Sequence, residues 1–170
     1  MSESDETVVG DDAAQAAPGP VQLRIERLYL KDASFESPAA PGIFASQQWR
    51  PKNQVDINTT ANRLDETRHE VVLTTTVTCQ DDAGKTAYVA EVQYAGVFVI
   101  EGAAPTQLQQ ILGVACPHTL FPYVRENLDS LVTRGGFPPL HIAPVNFEAL
   151  FAQAIAQARQ PSSADATTTH

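Results

Sequence analysis

The sequence predicts an α+β fold in which helices gather on one side of an antiparallel sheet. Three observations carry that expectation. Apolar and polar residues alternate with period two up to about residue 100, a helical period takes over after Pro105, and a turn containing Asp and Gly joins the two strongest strands.

The first strand begins at Val21, where Val21, Leu23 and Ile25 alternate with Gln22, Arg24 and Glu26, the pattern of a half-buried strand. Between Ser34 and Asn53 the alternation dissolves into a loop containing Pro38, Pro41, Gly42 and Pro51. That loop still holds Phe35, Ile43, Phe44 and Trp49, so it must cover something or bind something. Val55 to Asn58 reads as a short, weak strand. Glu70 to Gln80 is a strong one, with Val71, Leu73, Thr75, Val77 and Cys79 on one face and Val72, Thr74, Thr76 and Thr78 on the wetter other face. Asp81 to Lys85 has the residues of a hairpin turn, and Thr86 to Ile100 returns as its partner, with Gly96 expected to mark a bulge. In this strand Tyr88, Ala90, Val92 and Tyr94 face one way and Val89, Glu91 and Gln93 the other.

After Pro105, Thr106 and Gln109 fit a capping box, and Leu108, Ile111, Leu112 and Ala115 form an apolar stripe. Pro117 and Pro122 predict a kink or break before the helix continues through Tyr123, Val124, Leu128 and Leu131 to Arg134 and the Gly135-Gly136 pair. An extended connector follows. Asn146 then caps a last helix whose apolar face is Phe147, Leu150, Phe151, Ala154 and Ile155. Two apolar helix stripes exceed what one small sheet face can cover, which implies self-association.

Charge narrows the choice of partner. Of 20 acidic and 11 basic residues, five acids (Glu3, Asp5, Glu6, Asp11, Asp12) and no Lys or Arg lie in residues 1–20. Residues 1–20 and 159–170 read as disordered tails around a single domain at 21–158. The domain is mildly acidic and has no Lys/Arg cluster, so nucleic acid is not an expected partner and a cationic one is. No apolar run reaches the roughly 20 residues of a membrane helix, and the start lacks the charge and apolar core of a secretory signal, so no membrane insertion and a cytoplasmic location are expected.

Candidate catalytic groups are sparse. Cys116-Pro117-His118 is the one Cys/His neighbourhood, and adjacent residues on a helix rarely face each other. His69 and His141 have no second ligand at metal spacing and read as surface or loop residues; Asp65-Glu66 and Asp81-Asp82 read as solvated turns; Cys79 and Cys116 have neither disulfide-framework nor zinc spacing. No phosphate-binding glycine motif is present. The expectation is a binder without cofactor or metal, not an enzyme. The aromatic loop 35–49 and the last helix could together form a groove for extended polypeptide, and Asp32, Glu36 and Glu91 could form an acidic docking patch.

Four stretches sharpen this reading: KDASFE at Lys31–Glu36, EVQYAGVF at Glu91–Phe98, CPHTLFPYVRE at Cys116–Glu126, and RGGFPPLHIAPVNFEALF at Arg134–Phe151. In this order they resemble the SecB family of bacterial protein-export chaperones over about residues 21–155. The resemblance implies a four-stranded antiparallel sheet carrying a long kinked helix and a C-terminal helix, and subunits assembled as a homotetramer, a dimer of dimers. It implies ATP-independent capture of unfolded precursor proteins and delivery to the SecA motor. By similarity, Asp32, Glu36, Val89 and Glu91 are expected to dock the tail of SecA, which carries its own zinc, and Phe44, Trp49, Phe147, Leu150 and Phe151 to line the client groove. A SecB-like holdase dedicated to one client, such as a toxin–antitoxin partner, is the alternative.

Overall fold

In the computed structural model, residues 20–45 and 50–159 are described. The expected tails, apart from Pro20 and Arg159, lie outside these residues, as does Trp49. Four strands, β1 (Gln22–Glu36), β2 (Lys52–Arg63), β3 (Arg68–Gln80) and β4 (Thr86–Glu101), form one antiparallel sheet in the order β1-β4-β3-β2. The β3–β4 turn is built as its composition requires. Asp81 Oδ1 accepts from the N–H groups of Ala83 (3.0 Å) and Lys85 (2.8 Å), and Gly84 supplies the positive φ of 78°.

Two strand assignments need correction. β2 is not a fragment at 55–58 but a 12-residue strand, paired with β3 from Lys52↔Gln80 to Arg63↔His69. As an edge strand with polar residues on both faces, it owes its length to pairing and shows little hydrophobic period. Gly96 does not mark a bulge, since its register with Leu28 and Val71 is regular. It is a place of close approach, where a Cβ would lie 2.6 Å from the Phe98 ring and 3.0 Å from Leu28. The register shifts fall instead on β1, between Ile25 and Arg27 and between Leu30 and Asp32, and beside the β3–β4 turn between Cys79 and Gln80.

The helical part also runs differently from the sequence expectation. α1 (Pro105–Gln110), a π turn (Ile111–Ala115) and α2 (Cys116–Arg134) follow without interruption. The cap sits at Ala104, whose N–H donates to Gln107 Oε1 at 3.1 Å, two residues before the expected Thr106–Gln109 box. Pro117 does not break the helix. It enters in the first turn of α2, just after the π turn, whose wider winding gives its ring and missing N–H room. Pro122 is carried inside α2. The end is as expected: Gly136 (φ 86°) donates to Thr133 O at 3.0 Å and Phe137 to Val132 O at 3.2 Å, the Schellman pattern.

α2 packs on β4 and β3. Cys116, Leu120, Val124, Leu128 and Val132 form its buried stripe, and Val71, Leu73, Val77, Ala90, Val92 and Phe98 are the fully buried sheet residues beneath. The connector is pinned back onto α2 by the Leu140 N–H, which donates to Asp129 Oδ1 at 2.8 Å. α3 (Phe147–Arg159) starts at Asn146, whose Oδ1 accepts from Ala149 N–H at 3.0 Å.

β1 departs from its expectation as a half-buried strand. Val21, Leu23, Ile25 and Leu30 are 38–47% exposed in the single chain. His69 departs in the opposite sense. Expected at the surface, it is 95% buried on the helix side of β3, because it pairs with Phe98 on the apolar face, and its Nδ1 has no hydrogen-bond partner.

Candidate functional site

Strand register places the acidic candidates on the sheet face turned away from the helices. Ser34, Glu91, Thr76 and Asp56 form one row across all four strands, flanked by Asp32–Gln93–Thr74–Asn58 on one side and Glu36–Val89–Thr78–Gln54 on the other. All four expected docking residues, Asp32, Glu36, Val89 and Glu91, are thus brought together. Asp56 joins them and was not singled out from the sequence; its signal was its place in a polar strand, which becomes an acidic position only once β2 is in register with β3.

Glu91 is held in place by its neighbours on this face. Its Oε2 accepts from Thr76 Oγ1 at 2.7 Å and its Oε1 from Gln93 Nε2 at 3.3 Å, so the carboxylate is held while staying partly accessible. Farther along the same face, Glu70 accepts from the Tyr29 hydroxyl, from Lys31 Nζ at 2.7 Å and from Asn62 Nδ2 at 3.3 Å. These bonds, that from Lys31 foremost, hold the Glu70 carboxyl near 2, while the Tyr29 hydroxyl's own bond to Glu70, with burial, pushes it up to about 12.

The apolar candidates lie in two groups. Phe147 is buried, edge-on to Phe121 (centroids 5.7 Å apart) and to His118 (6.3 Å). Phe151 lies so close over Gly113 of the π turn that any Cβ there would strike its ring. Phe147, Phe151 and Leu150, the last 39% exposed, line a groove of about 690 Å³ between α3, the start of the helix and β2, whose other walls include Ile57, Leu112 and Ile155. Phe44 belongs elsewhere. It is 51% exposed and rests on Phe137 (5.2 Å), which touches Tyr88 (4.8 Å) and Phe35 (6.2 Å) beyond the far end of α2. His118 and Arg134 mark the two ends, about 24 Å of helix apart. The expected single groove is therefore two apolar patches.

The remaining chemistry is muted. Burial pushes the Cys116 thiol up to about 12, so the thiolate that a nucleophile needs is not formed near neutral pH. His118 packs its ring against Phe147. Among the described residues, no group of three His, Cys, Asp or Glu could hold a metal ion, and no helix is long and apolar enough to cross a membrane.

The sequence pattern of the family described as preprotein translocase subunit SecB matches residues 14–158. The chain belongs to the SecB family. Among its relatives are proteins named protein-export protein SecB from Hahella chejuensis, 48% identical over 89% of this chain and 95% of that one, and from Pseudomonas aeruginosa, 50% identical over 80% and 83%. The relative of the same name from Xanthomonas campestris is 48% identical over 92% of this chain and 91% of its own. A solved SecB-like chaperone of Mycobacterium tuberculosis, in complex with a peptide from an antitoxin, superposes with a TM-score of 0.60 at 16% identity, covering 73% of this chain and 91% of that chain. That likeness shows the fold: the SecB architecture of one four-stranded antiparallel sheet with its helices, as the four stretches implied.

Proposed function

We propose that this SecB-family chain is a cytoplasmic, ATP-independent chaperone that holds unfolded precursor proteins in an export-competent state and passes them to the SecA motor, making and breaking no covalent bond. Family membership carries the reading. The distribution of surface supports it. Exposed Phe44 near one end of α2, and Leu150 and Phe151 with Phe147 behind them near the other, offer apolar contacts at about 25 cal/mol per Å² without demanding a particular sequence, and Trp49 is proposed for the same role from the sequence alone. An unfolded chain that reaches several such patches gains affinity through avidity. The opposite sheet face, with Asp32, Glu36, Val89 and Glu91, suits a cationic partner that docks electrostatically, the role proposed here for SecA.

Assembly into a homotetramer, a dimer of dimers, is part of the proposal. The exposed Leu23, Ile25 and Leu30 on edge strand β1, with Val21 just before it, are apolar area that a second copy would bury. A holdase dedicated to one client is not favoured, since the relatives at about half identity carry the protein-export name while the antitoxin-peptide complex is alike in fold alone. The test is native mass spectrometry of the protein with a precursor diluted from urea, without nucleotide and with the folded precursor as control. A four-subunit species holding only the unfolded precursor is expected. A monomer, or an assembly indifferent to unfolded chains, would overturn the proposal.

A further inference from the structure

The acids on β1 reach the docking face only because the strand carries an extra residue. Leu30 pairs with Tyr94 and points toward the helices, where Tyr94 stacks on Tyr123 of α2 at 5.2 Å. Asp32 pairs with Gln93 on the opposite face. In an unbroken strand, residues 30 and 32 would share a face. The bulge at Lys31 reverses the alternation, so that Asp32 and Glu36 face outward and Phe35 turns inward to stack on Tyr88 at 5.7 Å and lie over Gly135. Without it, Phe35 would stand among the acids of the outer face, and Asp32 and Glu36 would meet the aromatic cluster.

No glycine or proline sets this bulge. Side chains fix it: Lys31 reaches across β4 to Glu70 on β3, the Tyr29 hydroxyl donates to the same carboxylate from the other side of the bulge, and Asn62 of β2 holds its second oxygen. Glu70 is 13% exposed, so its pair with Lys31 is better shielded than an ordinary surface ion pair.

We propose that Glu70, acting through Lys31, is a positioning residue for partner docking: the pair locks the β1 bulge that turns Asp32 and Glu36 to the docking face and Phe35 to the aromatic cluster. The proposal rests on the docking reading given above. It assigns to two residues that need not touch the partner a control over those that do.

Charge makes the test decisive, because removing Lys31 leaves the face more negative. If only the field of the face mattered, a cationic partner would bind Lys31→Glu and Lys31→Met more tightly. Positioning requires the reverse. The probe is the zinc-loaded tail peptide of SecA, titrated calorimetrically into the full-length protein. Lys31→Glu should weaken binding about tenfold, by setting two carboxylates against each other. The milder Lys31→Met should weaken it about threefold. The swapped pair Lys31→Glu with Glu70→Lys should return it to within about twofold of the parent. Unchanged or tighter binding in Lys31→Met, or a swapped pair no better than Lys31→Glu, would overturn the proposal. Glu91→Lys, measured alongside, separates the two readings. If that variant binds the tail normally, the docking surface itself is wrong; if it loses binding while the Lys31 variants keep it, docking stands and the positioning role falls.

Discussion

Glu91 and Val92 are neighbours on β4, yet they stand in two different environments. Val92 is fully buried beneath α2, while Glu91 lies among threonines, a glutamine and other acids on the outer face. The outer face is well provided with polar partners: Glu91 finds donors in Thr76 and Gln93, Asp56 in Gln54, and Glu70 in Lys31, Tyr29 and Asn62. The helix side, beyond its core, leaves Phe44, Leu150 and the edge of β1 open to water. A pre-arranged polar face suits one partner of defined charge. Open apolar patches suit many partners of no defined shape. The two kinds of recognition are separated by the thickness of a single sheet.

Four experiments press on that separation, from the largest expected effect to the smallest. Leu128 is fully buried in the layer behind the sheet, so Leu128→Ala should lower stability by about 3 kcal/mol, read from the urea midpoint, and impair both faces together. Glu91→Lys should cost SecA-tail binding about 2–3 kcal/mol in calorimetry, and the loss should grow at low salt, with client capture intact. Equal loss of both activities would break the separation. Leu150→Ala with Phe151→Ala should weaken capture of an unfolded precursor by about 1–2 kcal/mol in competition binding and leave the tail affinity unchanged. The smallest effect is with pH. The Glu70 carboxyl sits near 2 in the folded chain against an ordinary 4.5, so the stability contributed by its bonds is present above about 4.5 and is lost as pH falls through the folded value near 2. Urea midpoints between pH 5 and 3 should therefore fall less in Glu70→Gln than in the parent.

Legibility in the sequence followed the same division. β3, β4 and α2 could be read because each buries one face and so carries a clean period: Val71 to Cys79, Tyr88 to Tyr94, and the stripe Val124, Leu128. β2 could not, because an edge strand with polar residues on both sides leaves no period to detect. The path of the helix through Pro117 was hidden because a π turn has no composition of its own. His69 looked like a surface residue because its burial depends on Phe98 across the strand pair, not on its sequence neighbours. Of the site, the side taken by Glu91 was evident from simple alternation. The placing of Asp32 and Glu36 beside it was not, since that needs a bulge set by Glu70, 39 residues away from Lys31. Phe44 and Phe151 were both recognisable as unusual apolar residues, yet only the fold shows them at opposite ends of α2.

The strand order has a consequence for how the chain comes into being. β2, β3 and β4 are joined as consecutive hairpins, but β1 must pair with β4 across both of them, with Gln22 meeting Glu101. Closing that loop costs entropy that the hairpins do not pay, so the local three-stranded piece is favoured to form first and β1 to seat last. During synthesis β1 leaves the ribosome before any of its partners, and it waits with Leu23, Ile25 and Leu30 uncovered until β4 has emerged. For the length of its own translation, a protein proposed to shield other unfinished chains carries the same kind of exposed segment that it is built to hold.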